Sequence, residues 1–242
     1  MDRYLSDEHR AFQEEVREFA VEVIRPVARE LDEEARFPWE TVAAMAERGW
    51  MGIATPEKYG GMGRDYLSYT LAVEELARVD ASHSITVAAH SNLGTGPILY
   101  FGNEEQKTRW LPLLAQGKVL GGFGLTEPGA GSDASGTRTR AEPVEGGWKL
   151  NGSKIFITHA GVGEIFTVTA VTDPEQGARG ITSFVVCKPT VDVDQAEASG
   201  VGHAPELDFV EGVRAGEKED KLGWRASDTR ELHLEDAFVP RD

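Results

Sequence analysis

The feature that most constrains this chain is a change of hydrophobic period near residue 120. Before it, apolar residues recur at three- and four-residue steps. Phe12, Val16, Phe19, Ala20, Val23, Ile24 and Val27 trace one buried helical face. After it, the apolar runs are short, β-branched and partly alternating: GWKLNGSKIFIT (147–158), EIFTVTAVTD (164–173), ITSFVVCK (181–188) and RELHLEDAFV (230–239). A chain written in two periods folds as two architectures in series. The expected class is α+β: an all-α helical domain over 1–120, then an antiparallel β-barrel or sandwich domain over 121–242. No helical pattern separates the strands, so a doubly wound parallel sheet is excluded.

Local signals fill in the helical half. Ser6 ahead of Asp7 and Glu8 predicts an N-cap with an acidic first turn. Pro26 is expected to kink or end the first helix. Pro38 fits a first helical position, and Gly49 a C-terminal stop. LSYTLAVEELARVD (67–80) predicts a third helix. ITVAAHSNLGTGPILYFG (85–102) predicts a buried fourth, loosened by Gly94 and Gly96. Asn103 and Gln106 form a capping-box pair ahead of KTRWLPLLAQG. In the second half, the acidic stretch 189–216 reads as a long surface excursion between strands.

Composition excludes several partners. The formal net charge of −16 argues against nucleic acid and anionic membrane, because both require a basic face. No apolar run reaches membrane-spanning length, and the amino terminus carries no apolar signal-peptide core. The single cysteine, Cys187, permits no internal disulfide and reads as a buried small hydrophobe, so a reducing cytoplasm is the expected home. Lysine is scarce. That balance suits a salt-rich cytoplasm, and high-GC codon usage yields the same bias.

Against this acidic background stands GLTEPGAGSDASG (124–136). It could be a plain surface turn. It could equally present backbone amides and hydroxyls to a ligand, since glycine lets a backbone approach closely and exposed amides bind oxyanions without lysine. The stretch is neither GxGxxG opening a helix nor a phosphate loop ending in GK[ST]. The helices present no metal pair and no nucleophile–base pair.

Three motifs in order, TEPGAGSD (126–133), NGSKIFIT (151–158) and GWRASDTRELHLEDAFVP (223–240), together with PEKYGGMG and FGNEEQKTRWLPLLAQGK in the helical half, resemble the acyl-CoA dehydrogenases. The resemblance covers essentially the whole chain. It implies an all-α domain, a β domain, and then a four-helix domain before which this chain stops. It implies FAD as cofactor, contacted by Phe123, Leu125, Thr126, Gly131, Ser132, Phe156, Ile157 and Thr158. Ser132 and Arg179 are implied to face bound acyl-CoA. Relatives often carry tryptophan where Phe156 stands and asparagine where His159 stands; His159 reads here as a loop residue that tolerates the change. His90 reads as a satisfied core histidine, Glu127 as structural, and the 227–230 run as packing.

The implied reaction is α,β-dehydrogenation of an acyl-CoA thioester, by proton abstraction and hydride transfer to flavin N5. Electron-transferring flavoprotein is the implied acceptor and a homotetramer the implied assembly. In the family the catalytic glutamate lies in the four-helix domain, so no catalytic residue is assigned to this chain, which is expected to be incomplete and inactive alone. Two alternatives stay open: a flavin oxidase of the same fold, acting on acyl-CoA or nitroalkanes, and a non-catalytic fragment that binds CoA esters or a partner.

Overall fold

Helix α1 (Asp7–Phe19) begins where a capping box predicts it. The Ser6 hydroxyl accepts the His9 N–H, and the His9 ring accepts the Ser6 N–H. In this computed structural model, which describes residues 4–241, α1 buries Phe12, Val16 and Phe19. The helix then widens into a π turn over Ala20–Ile24 and continues as α2 (Arg25–Glu34), with Pro26 in its first turn. Pro26 therefore neither ends nor breaks the path, because the π turn ahead of it has already displaced the hydrogen-bond ladder. The same turn rotates Val23 outward, so it leaves the buried face on which its spacing placed it.

Helix α3 (Trp39–Glu47) opens one residue after Pro38, and Gly49 takes the left-handed conformation at φ 77° beyond its end. Asp65 caps α4 (Tyr66–Ala77), and Asp80 caps α5 (Ala81–Ala88). The predicted single helix over 85–102 is a bent one. It runs from α5 through a π turn at Ala89–Thr95 into α6 (Gly96–Phe101). Asn103 and Gln106 form the expected capping box at the start of α7 (Glu104–Ala115). Phe12, Val16, Ile24, Trp50, Met51 and Leu76 make the helical core.

Among the described residues seven strands follow: β1 (Gly121–Gly124), β2 (Arg140–Val144), β3 (Gly147–Thr158), β4 (Ile165–Val171), β5 (Ile181–Cys187), β6 (Val213–Lys218) and β7 (Thr229–Pro240). They form one curled sheet in the order β1-β4-β2-β3-β7-β6, with β5 also paired to β4. Its buried face is closed by Leu150, Phe166, Val168, Phe184, Val186, Leu232 and Leu234. Pairing is antiparallel except for β1 on β4 and a single β2–β4 contact, which are parallel. Strand β1 lies outside the predicted set because GGFG has no strand-forming side chains except Phe123. Its glycines serve close packing: a Cβ on Gly122 would lie 2.7 Å from Phe166, and one on Gly124 would lie 2.8 Å from Val168.

The two halves meet backbone to backbone. A Cβ on Gly94, in the π turn, would lie 2.5 Å from the Gly121 carbonyl carbon; one on Gly121 would lie 2.9 Å from Gly94 Cα. His90 spans this junction as a satisfied core residue. Its Nδ1 accepts the Gly121 N–H at 3.1 Å, which places the ring proton on Nε2, and Nε2–H donates to the Leu114 carbonyl at 2.9 Å. Burial drives its pKa down to about 3, helped by the nearby His159.

The 189–216 stretch is not a surface excursion throughout. It holds a helix, α8 (Val193–Ser199), which packs on α3 and sends Ala196 into the helical core, with Val201 joining just past the helix end. Ala204 and Leu207 are also buried, and Asp208 pairs with Arg109 of α7. Its scattered small apolar residues are what the interface takes up; its acids stay outside.

Candidate functional site

Strand β1 runs directly into the glycine-rich loop. The turn Glu127–Pro128–Gly129–Ala130 closes with reciprocal bonds, Glu127 N–H to Ala130 O and Ala130 N–H to Glu127 O, both 3.0 Å. Beyond it Gly131, Ser132 and Asp133 are exposed, and a Cβ on Gly129 or Gly131 would meet nothing within 4 Å. The loop therefore offers an open rim of amides and hydroxyls over a closed base.

That base is an ion pair. Glu127 is buried, and its carboxylate accepts from Lys154 Nζ at 2.7 Å, Arg138 N at 2.6 Å, Thr139 N at 3.0 Å, Thr139 Oγ1 at 2.6 Å and the Thr137 hydroxyl. Burial alone would raise its pKa. The donors from Lys154, Thr137, Thr139 and Arg138 outweigh that and hold it at about 2. Lys154 is itself fully buried. Burial pulls its pKa down while Glu127 supports its charge. A carboxylate that accepts from five donors and has a pKa of about 2 is a structural anion and not a general base.

Strand β3 brings the second motif to the same rim. The Ile155 N–H donates to Thr126 O at 2.8 Å, so TEPGAGSD and IFIT lie side by side. Between Lys154 and Ile157 the pairing of β3 with β7 slips by a bulge. Inside the bulge Phe156 adopts φ 58° and stands 62% exposed. A left-handed, solvent-facing phenylalanine is a strained conformation that the surrounding structure imposes.

The predicted contact residues do not all arrive in the same way. Leu125, Thr126 and Thr158 are half-buried at the rim, and Gly131, Ser132 and Phe156 are exposed there. Ile157 turns its side chain into the sheet core, leaving only its backbone for the rim, a consequence of strand alternation around the bulge. Phe123 sits earlier on β1, opposite Thr167, and lines an apolar cavity of about 520 Å³ with Phe101, Trp110 and Phe184. Arg179 is exposed on the turn between β4 and β5. Because β1 and β4 run parallel, that turn leaves the sheet from the same end as the glycine-rich loop.

Behind the rim, the His159–Glu164 loop is pinned from several sides. His159 is not a tolerant loop residue: it is fully buried at φ 67°, and Nδ1–H donates to Gly121 O at 2.9 Å. Burial lowers its pKa against the pull of Gly121 O and Asp228. Asp228, from the 227–230 run, accepts Gly161 N–H at 2.6 Å and Arg230 Nε at 2.7 Å. Lys188, also fully buried, donates to the carbonyls of Gly161, Gly163 and Pro189. Cys187, next to it, is buried with its thiol pushed up to about 12 by burial, as expected of an inert packing residue.

Lys154 and Lys188 are absent from the sequence-derived site. For Lys154 a signal existed: it stands in phase with Leu150 along the alternation of β3, at an inward position.

Among the described residues, no group of His, Cys, Asp and Glu could hold a metal ion, and no helix is long and apolar enough to cross a membrane.

The sequence profile of the acyl-CoA dehydrogenase N-terminal domain matches residues 6–118, and that of the acyl-CoA dehydrogenase middle domain matches residues 122–237. The chain belongs to the acyl-CoA dehydrogenase family. It is 43% identical over 225 residues to an acyl-CoA dehydrogenase of Bacillus subtilis, covering 93% of this chain and 54% of that one. It is 40% identical over 240 residues to a short-chain specific acyl-CoA dehydrogenase of Clostridium acetobutylicum, covering 99% of this chain and 58% of that one. The chain thus spans little more than half the length of these relatives. Among solved structures, butyryl-CoA dehydrogenase from Megasphaera elsdenii matches with a TM-score of 0.86 at 39% identity, covering 98% of this chain and 57% of that one. An acyl-CoA dehydrogenase complexed with FAD from Bacillus anthracis matches with a TM-score of 0.82 at 36% identity, covering 98% and 38%. The prolyl acyl carrier protein oxidase AnaB matches with a TM-score of 0.85 at 28% identity, covering 98% and 58%.

Proposed function

We propose that the rim holds FAD and that the chain serves the FAD-dependent α,β-dehydrogenation of an acyl-CoA thioester. One observation carries the reading. The Ile155–Thr126 hydrogen bond sets an open amide-and-hydroxyl loop beside an exposed aromatic ring held at positive φ. Such a rim fits a cofactor with one flat face and one oxyanion-rich arm. Thr126 and Thr158 would address the ring's polar edge, Phe156 its face, and the amides of Gly131 and Ser132 the pyrophosphate. When bound, FAD supplies the two-electron acceptor of the reaction.

The chain's own residues bind, orient and exclude water here. The α-proton needs a base whose pKa suits the working pH, and Glu127, held near 2, is unfit for that task. The family resemblance implies a base outside the residues described, so no catalytic residue is assigned among them; the chain by itself is read as inactive. Arg179 and Ser132 are assigned to the CoA portion of the substrate. Electron-transferring flavoprotein is the proposed electron acceptor, in a cytoplasmic homotetramer.

The test is FAD titration of the native-length protein, followed by anaerobic addition of acyl-CoA esters of increasing length. Binding with bleaching of the flavin absorbance supports the proposal. Failure to bind FAD rejects it. The likeness to an oxidase gives a second reading on the same fold. Rapid reoxidation of the bleached flavin by air selects that reading, and slow reoxidation selects the dehydrogenase.

A further inference from the structure

One buried ion pair underlies both segments of the rim. Lys154 Nζ lies 2.7 Å from Glu127 Oε1, and the same ammonium also donates to Leu125 O at 3.3 Å, Thr137 Oγ1 at 3.1 Å and Thr169 Oγ1 at 3.2 Å. Lys154 stands two residues before Phe156, at the edge of the bulge in β3. Glu127 is the residue after Thr126, and it draws in the hydroxyls and amides of 137–139, where the loop re-enters the sheet. Among the described residues, Lys154 is the side chain that bonds the loop segment from within the other motif. Neither member touches the rim's open face, since Glu127 is 6% exposed and Lys154 fully buried.

We propose that Glu127 and Lys154 are positioning residues that fix the heights of the two rim segments, 125–132 and 155–158, against each other. The proposal rests on the reading of the rim as a flavin site, and it adds a determinant that the contact residues do not contain. A tertiary loop rich in glycine has little stiffness of its own. A charged pair with four further donors on its carboxylate supplies that stiffness from below, so Thr126 and Phe156 meet a ligand already placed. The expectation is specific. Breaking the pair should loosen both segments together, and replacing it with uncharged groups of similar size should restore packing without restoring placement.

The experiment compares the native-length protein with Glu127→Gln, Lys154→Met and the double variant. Three readouts are taken on each: amide hydrogen exchange in 125–132 and 155–158, the FAD dissociation constant, and the thermal midpoint. Lys154→Met should speed exchange in both segments and weaken FAD binding, each by about tenfold or more. The double variant should regain the wild-type thermal midpoint while keeping both defects. The absorption spectrum of bound FAD should shift in the same variants, which a loss of stability alone does not produce. FAD affinity that follows the thermal midpoint through the series overturns the proposal, as does faster exchange confined to one segment. If the unsubstituted protein binds no FAD while both segments still loosen together, the cofactor assignment falls and the clamp stands.

Discussion

Lys154 and Lys188 are both fully buried, one beneath the rim and one behind it, and the fold handles their charges differently. Lys154 meets a full negative charge, the Glu127 carboxylate at 2.7 Å. Lys188 meets only carbonyl dipoles, Gly161 O at 3.4 Å, Gly163 O at 3.1 Å and Pro189 O at 2.7 Å, with the Phe166 ring centroid 5.7 Å away. Three carbonyls use all three ammonium protons, so the group is satisfied in hydrogen bonds yet makes no direct ion pair among the described residues. Burial accordingly brings Lys188 down to about 8, against the pull of Asp228 and Glu164. The comparison separates two demands that are often merged: satisfying a buried donor, and neutralising a buried charge.

The largest expected effect comes from breaking the front pair on one side. Glu127→Ala strands the Lys154 ammonium and should cost about 3–5 kcal/mol, read from denaturant unfolding. Lys154→Met should cost less, because the Glu127 carboxylate keeps four protein donors. Equal costs for the two would break the comparison.

The back loop is next. A Cβ on Gly161 would lie 2.3 Å from Arg230 Nε and 2.7 Å from Asp228 Oδ1. Gly161→Ala should therefore destabilise by about 1–3 kcal/mol through overpacking. It should disturb the back anchor while leaving exchange in 125–132 unchanged.

The pH profiles sharpen the contrast further. Glu127 falls from its ordinary 4.5 to about 2 on folding. Its stabilisation is complete above pH 4.5 and is lost as the pH falls from 4.5 to 2, a loss that Glu127→Gln should remove from the acid limb. His90, lowered from 6.5 to about 3, adds an earlier loss between those values, because the unfolded chain takes up the proton first. The last effect is alkaline. Lys188 drops from 10.5 to about 8, so the unfolded chain binds more protons between these values and stability gains with rising pH there. Lys188→Met should flatten that gain, and an unchanged profile between pH 8 and 10.5 would count against the burial that lowers it.

Much of the helical half was legible because its signals are local. A Ser6 cap, an Asn103–Gln106 box and an apolar face at helical spacing act within one or two turns. The rim was legible through its residue types, glycines and hydroxyls between strands. What was hidden depends on distant partners. GGFG became a strand only because β4 lies close enough to exclude side chains from Gly122 and Gly124. The 189–216 stretch looked solvent-bound because its acids dominate its composition, whereas its small apolar residues decide where it packs. Among the described residues, two π turns shifted faces; Pro26 and the Gly94–Gly96 pair marked the places but not the widened geometry. Lys154 and Lys188 were not singled out in the sequence, and only the acceptors assembled around each one make burial tolerable.

The contact between Gly94 and Gly121 carries a mechanical consequence. With helix and strand backbones touching, and the His90 ring bonded across the seam, the junction has no slack for one half to swing against the other. A methyl group at either glycine would act as a wedge, prying β1 and the loop that follows it away from the helices.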